Sequence, residues 1–350
     1  MPNQITRAVT QDEIAAYKQA GVVLLKGILG LDAVNSLRRS IDHVVNTLDD
    51  SPSGYDFTKI LRATARNDFD QLRAMSDGQY DLEAIMDYVK STGKPLLADD
   101  NSDAREGAYF IDTGIAAKLN SYRELCVKGA LPEIAGQLLQ SETVRFFGDQ
   151  VFVKEPNTPG KTAFHQDATY FEIEGEQCCV MWVPADPVTL ENGAMMYVRG
   201  SHRDGTLYKP NVFISQAPLP GSEGADLPDI ENNLDDYDIV HFDVEPGDLL
   251  VHHYRTIHGT GGNQSRYQVR RAASIRYCGD DIRFKERPWA PPQLHHTGRL
   301  NTGDPLSGPD FPVVWERHDP ERTPGATVGD MAADMAADTK TERLSGTRAA

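Results

Sequence analysis

A chain of 350 residues with 39% hydrophobic side chains carries enough apolar material for a sizeable core, which excludes a wholly disordered polymer. Its 52 Asp and Glu outnumber 35 Lys and Arg, and the net charge of −17 argues against nucleic acid or an anionic membrane as the main partner. The N-terminal stretch has no signal-peptide core, no segment approaches the ~20 apolar residues that span a bilayer, and Cys126, Cys178, Cys179 and Cys278 form neither a disulfide framework nor a CxxC pair. A cytoplasmic protein is expected.

The first third reads as helical. Thr10-Gln-Asp-Glu13 has the form of a capping box and predicts a helix over 11–20. A glycine then leads into the β-like Val22-Val-Leu-Leu-Lys-Gly27. A second helix is predicted from Leu31, with Ala33, Val34, Leu37, Ile41 and Val44 at helical spacing. Further helices are expected near 80–90 and 114–140, with a polar loop over 91–108. From residue 143 the texture changes to short β-rich runs: Val144–Phe147, Gln150–Val153, Cys178–Val183, Ala194–Val198, Asp248–His252 and Ala272–Tyr277. Gly and Pro turns punctuate them, and no helices alternate with them, which predicts a barrel or jelly roll. The acidic interval 204–238 is read as a long functional loop. A Pro-rich extension, 281–318, carries Trp289, His295, His296, Phe311 and Trp315, enough aromatic surface to pack back on the core. One domain is therefore expected over 1–318: a helical part (1–142), a jelly-roll core (143–280) and the extension. A polar tail follows over 319–350, flexible or marginally helical.

The chemistry centres on His165-Gln-Asp167. On a strand, positions i and i+2 share a face, so an imidazole and a carboxylate could meet one metal ion. Alone the tripeptide is weak, since a surface turn explains it equally well. His258 supplies a third ligand from a distant strand. Two histidines and one carboxylate leave three positions open on a non-haem iron, although the same ligands suit zinc. His252 and His253 compete as third ligand; His258 is preferred because the following Gly-Thr-Gly-Gly-Asn lets a turn approach the site. Arg270 favours iron, because a guanidinium with Ser274 on the same face suits the distal carboxylate of 2-oxoglutarate. Arg271 faces the other way, and Arg276 shares the face of Arg270 but lies further along. For any one of the three, a solvated surface arginine is the bland alternative.

Together these pieces resemble the phytanoyl-CoA dioxygenase-like enzymes over about Gln150 to Tyr277. The specific elements are His165-Gln-Asp-Ala-Thr-Tyr-Phe171, Trp182, Glu191-Asn-Gly-Ala194 and Val198-Arg-Gly-Ser-His202. They continue with Gly247-Asp-Leu-Leu250, His258-Gly-Thr-Gly-Gly-Asn263 and Arg270-Arg-Ala-Ala-Ser-Ile-Arg-Tyr277. The resemblance implies an α+β protein with a mainly β core, a cupin-like double-stranded β-helix (jelly roll) with N-terminal and flanking helices. It implies iron(II), 2-oxoglutarate as cosubstrate and O2, and a pocket lined also by Gln150 and Trp182. His202 belongs to the pattern without being a ligand. The interval between His258 and Arg270 is about one residue longer than the family's, through Ser265–Val269, yet the Arg-x-Ala pattern still selects Arg270 over Arg271.

The expected activity is therefore a dioxygenase hydroxylating an unactivated C–H bond of a small molecule, with release of succinate and CO2. Asp167 supports hydroxylation, because related halogenases lack this carboxylate. Lys154, Tyr170 and Phe171 are candidate substrate contacts, with the 204–238 loop as a lid element; for Lys154 and Lys161 a solvated surface lysine is the alternative. The rival readings are a cupin-like zinc isomerase or hydrolase, and a binding protein that has lost turnover. The rivals predict no role for Arg270 and no turnover, respectively.

Overall fold

The computed structural model describes residues 5–76, 81–97, 107–291, 293 and 296–317. The tail over 319–350 and His295 lie outside the described residues.

Helix α1 (Gln11–Ala20) starts where its capping box predicts. Thr10 Oγ1 accepts from the Glu13 N–H, and the Glu13 carboxylate accepts from the Thr10 N–H. It stops at Gly21, whose φ of 74° is left-handed. A Cβ there would also meet His202 Nδ1 at 2.3 Å and Thr256 Oγ1 at 2.5 Å, so only glycine fits. Seven more helices follow: α2 (Leu31–Asn46), α3 (Phe57–Arg66), α4 (Phe69–Met75), α5 (Leu82–Ser91), α6 (Ile115–Lys118), α7 (Asn120–Lys128) and α8 (Ala130–Leu139). In α2 the predicted stripe Ala33, Val34, Leu37, Ile41 and Val44 is buried.

The strands are β1 (Val22–Leu25), β2 (Tyr55–Asp56), β3 (Tyr109–Thr113), β4 (Thr143–Lys154), β5 (Thr162–His165), β6 (Ile173–Glu174) and β7 (Cys178–Pro184). They continue with β8 (Met195–Val198), β9 (Ile239–His241), β10 (Leu249–His253), β11 (His258–Thr260), β12 (Arg270–Cys278), β13 (Arg283–Phe284) and β14 (Val313–Glu316). A major sheet has the order β1-β10-β7-β12-β4-β3-β2, with β14 added to β4; a minor sheet has the order β5-β11-β8-β9. All ladders are antiparallel. Two such sheets with consecutive strands crossing between them make the double-stranded β-helix expected from the sequence.

Alternation along β7 explains why its run is apolar throughout. Cys179, Met181 and Val183 join the core shared with α1, α2, α7 and α8, while Val180 and Trp182 belong to clusters on the other face. The jelly roll is thus backed by helices on one side and holds its pocket on the other.

Three local expectations differ. Residues 143–154 form one strand rather than two: a bulge opposite Arg276 and Tyr277 absorbs the irregularity around Gly148. The helix expected over 114–140 divides into α6, α7 and α8, because Leu119 and Gly129 take extended backbone between them. Helices α3 and α4 lie in the part read as helical without having been singled out there; each begins at an aspartate cap, Asp56 and Asp68. The extension packs back as predicted, β14 pairing with β4 and Phe311 stacking on Phe147. Among the described residues no helix is long and apolar enough to cross a membrane.

Candidate metal and cosubstrate centre

Strand β5 ends on His165 and β11 begins on His258, and the two pair across the antiparallel ladder with ring centroids 4.3 Å apart. His165 Nδ1 lies 2.8 Å from the Ala163 carbonyl and His258 Nδ1 2.9 Å from the Thr256 carbonyl. A carbonyl only accepts, so Nδ1 carries the proton in both rings. Each ring thereby presents Nε2 as the atom available to a metal ion. Asp167 opens a short 3-10 turn after β5, and the intervening Gln166 stays extended, so the i, i+2 relation survives the end of the strand. Gln166 turns its amide to Thr206, Tyr208 and Arg255 instead.

Ligand atoms of His165, Asp167 and His258 lie within 4.8 Å of one another, and all three residues are buried. Burial, and then the neighbouring His165 and His252, push His258 well below its usual pKa, so its ring is neutral. Burial alone would raise the Asp167 carboxyl, but His258, His165 and His252 around it outweigh burial and hold it well below the usual range. Two imidazoles and an ionised carboxylate converging in a buried site match the donor set of non-haem iron(II).

His252, the competing third ligand, sits in the same cluster but in a different role. Its Nε2 is 3.3 Å from Asp167 Oδ2, and its Nδ1 is 3.5 Å from the Tyr197 hydroxyl. His165 Nε2 lies 3.6 Å from the other oxygen, Oδ1. His252 thus fixes the rotation of the carboxylate and leaves Oδ1 toward the metal position. His253 points the opposite way, with Nε2 on the Glu176 carbonyl and Nδ1 accepting from the Arg255 N–H. His202 binds the Lys18 carbonyl and ties β8's following turn to α1, a structural part. His296 Nε2 binds the Phe147 carbonyl.

The residues expected to bind the cosubstrate form one row across three strands. Ser274 on β12 registers with Gln150 on β4 and with Trp182 on β7, so the three side chains share a face. All three line one pocket with the triad and Arg270. Arg270 is 1% exposed; its Nη2 donates to the Gly193 carbonyl at 2.9 Å, its Nε has no partner, and Cζ lies 5.5 Å from the Trp182 ring. Burial lowers its pKa to about 10, which leaves it charged at neutral pH. Gly193 accepts a φ of 91° there, and a Cβ would press on the Gly261 and Gly262 carbonyls at 3.1 and 3.0 Å. Arg271 faces away, as expected, and binds Asp186 and Asp42.

The expected substrate contacts Lys154, Tyr170 and Phe171 are not among the residues that line the pocket. Lys154 is buried, with Nζ donating to Thr260 Oγ1 at 2.8 Å and to the Gly261 carbonyl at 2.5 Å, over the Tyr109 ring at 4.5 Å. It braces the end of β11 and does not line the pocket, because two fixed acceptors and a ring face occupy its ammonium. The Tyr170 hydroxyl is tied to Asn211 while its ring packs edge-on against His165 at 5.5 Å. Phe171 packs on Phe147. Sequence reasoning missed Tyr109, Phe152, Phe213 and Thr260 in the pocket wall. Phe152 was within reach of strand alternation from Gln150; Phe213 comes from the long loop and carries no such signal.

Comparison with known proteins agrees with this geometry. A family model described as phytanoyl-CoA dioxygenase matches residues 17–272. A phytanoyl-CoA dioxygenase of Arabidopsis thaliana is 22% identical over 277 residues, covering 79% of this chain and 91% of that protein. Among solved structures, the non-haem alpha-ketoglutarate-dependent carbocyclase SnoK from nogalamycin biosynthesis matches with TM-score 0.58 at 21% identity, covering 89% of this chain and 99% of that one. EctD from S. alaskensis, solved with 2-oxoglutarate and 5-hydroxyectoine, matches with TM-score 0.52 at 18% identity, covering 87% and 92%.

Proposed function

The chain belongs to the phytanoyl-CoA dioxygenase family of non-haem iron, 2-oxoglutarate-dependent enzymes, and on that premise we propose that it hydroxylates an unactivated C–H bond of a small molecule. The observation that carries the reading is the convergence of the buried His165, Asp167, His258 triad with the buried Arg270 in one pocket. A zinc isomerase or hydrolase would have no use for a charged guanidinium buried beside the metal position.

In this reading His165 Nε2, His258 Nε2 and Asp167 Oδ1 hold iron(II). Bound iron, with 2-oxoglutarate and O2, supplies the oxidising power that removes hydrogen from a C–H bond, with succinate and CO2 as coproducts. Arg270 binds the distal carboxylate of 2-oxoglutarate through its fork, and Ser274 adds a hydroxyl donor. Trp182 covers the guanidinium and keeps water from competing for it. Gln150 lines the cosubstrate side of the pocket, and the aromatic wall of Phe152 and Phe213 sets the shape left for substrate. The presence of Asp167 favours hydroxylation over halide transfer, since it fills the position a halide would need. The four cysteines are free and buried, which suits a reducing cytoplasm.

The test is succinate formation coupled to 2-oxoglutarate consumption across a panel of small molecules. Substrate-dependent succinate and a product 16 mass units heavier, about one oxygen atom, support the reading. A product two units lighter, from about two lost hydrogens, would replace hydroxylation by desaturation or ring closure.

A further inference from the structure

Arg270 is one of two guanidinium groups in the pocket wall. Arg276, six positions along β12, shares its face and lines the same cavity. It is 8% exposed, and among the described residues it forms no ion pair. Its Nη2 donates to a neutral acceptor, Gln150 Oε1, at 2.8 Å, and its Nε is buried without a partner. One flat side is covered by Phe171, 5.2 Å from Cζ to the ring centroid. The nearby carboxylates are already engaged: Asp149 accepts from the Ile115 and Ala116 N–H groups, and Asp167 faces the imidazoles.

A buried cation hydrogen-bonded to a neutral amide oxygen, with the Asp149 carboxylate acting on it only through space, has donors left for an anion. The cosubstrate has two carboxylates. In the reading above the distal one belongs to Arg270 with Ser274, and the keto-acid end would be held at the metal position. Arg276 approaches from the opposite end of the row. Arg270 reaches the Trp182 side of Ser274, whereas Arg276 meets Gln150 on the other side and Phe171 from the turn after Asp167. We propose that Arg276 is the anchor for a carboxylate on the substrate itself, making this an oxygenase of small carboxylic acids. The assignment rests on the dioxygenase reading. It also gives a purpose to Phe171, which holds the guanidinium plane against the pocket instead of touching substrate.

The test uses the full chain loaded anaerobically with iron(II) and saturating 2-oxoglutarate, whose chelate gives a visible charge-transfer band. Amino acids, 2-hydroxy acids and arylacetic acids are titrated in, each beside its primary amide, and the shift of that band is recorded. Some acids should shift the band at least tenfold more tightly than their amides. In Arg276→Met that preference should vanish, while the 2-oxoglutarate dissociation constant stays within twofold of wild type; Arg276→Lys should restore part of it. Thermal melting confirms that both variants fold. Equal affinity for acids and amides in the wild type would overturn the proposal. So would a tenfold weaker 2-oxoglutarate affinity in Arg276→Met, which would assign Arg276 to the cosubstrate. Absence of any band in the wild type would instead overturn the dioxygenase reading beneath it.

Discussion

His258 stands directly opposite His165 in the pairing of β11 with β5, although the two lie far apart in the chain. The β-sheet register therefore builds the metal site: each ring is oriented by the backbone carbonyl two residues before it, Thr256 and Ala163. Preorganisation of this kind makes the ligands sensitive to small changes around them.

His252 gives the sharpest check on that point. His252→Phe keeps the volume of the ring but removes the hydrogen bond to Asp167 Oδ2. Iron(II) affinity is predicted to fall ~10–100-fold, the usual effect of losing an outer partner of a ligand. His258→Ala should abolish high-affinity binding. Anaerobic iron titration measures both, and unchanged affinity in His252→Phe would show that Asp167 is oriented by something else.

Arg270 and Ser274 should separate by magnitude. Removing a buried charged anchor costs about 2–5 kcal/mol, so Arg270→Leu should weaken 2-oxoglutarate binding roughly thirtyfold or more. Ser274→Ala removes one neutral hydrogen bond, about 1 kcal/mol, or roughly fivefold. Dissociation constants from anaerobic titration decide it; a larger loss in Ser274→Ala than in Arg270→Leu would contradict the assignment.

Lys154 is predicted to serve stability. Lys154→Met removes the ammonium from Thr260 Oγ1 and leaves the Gly261 carbonyl with the Thr260 hydroxyl as donor, a loss of about 1–3 kcal/mol. Chemical denaturation should show that loss, and substrate selectivity should be unchanged. A folded variant of normal stability with altered selectivity would return Lys154 to the substrate.

The pH dependence of folding should carry the mark of His253. Burial, and then His202, lower its pKa to about 3, and both ring nitrogens are committed to the neutral form. The unfolded chain takes up this proton near pH 6.5. The contribution is therefore complete above pH 6.5 and declines below it, by about 1.4 kcal/mol per pH unit. Denaturation at pH 7.5, 6 and 5 should show a shallower loss in His253→Gln than in wild type, and equal slopes would refute the assignment.

Much of this was legible because the decisive features are periodic or chemically singular. The Thr10 to Glu13 box, the α2 stripe and the apolar β7 run each report a local rule that tertiary structure respects. Ser274 followed from strand alternation with Arg270, whereas Gln150 and Trp182 came from family resemblance; the register that joins the three emerges only when three strands align. Gly148-Asp149 resembles a turn in sequence, yet a bulge keeps β4 continuous and Asp149 caps the start of α6. The helical reading of 114–140 did not locate the breaks at Leu119 and Gly129. Lys154 illustrates the limit of sequence reasoning: a lysine near a site suggests a substrate contact, while its actual acceptors, Thr260 and Gly261, are remote in sequence.

The central claim is that one pocket holds iron(II) and 2-oxoglutarate together through His165, Asp167, His258 and Arg270. The most direct measurement adds iron(II) and 2-oxoglutarate to metal-free protein without oxygen and records the visible spectrum. The account predicts a weak charge-transfer band in the wild type, lost in His165→Ala and requiring far more 2-oxoglutarate in Arg270→Ala. A well-folded, iron-loaded wild type without that band would contradict it.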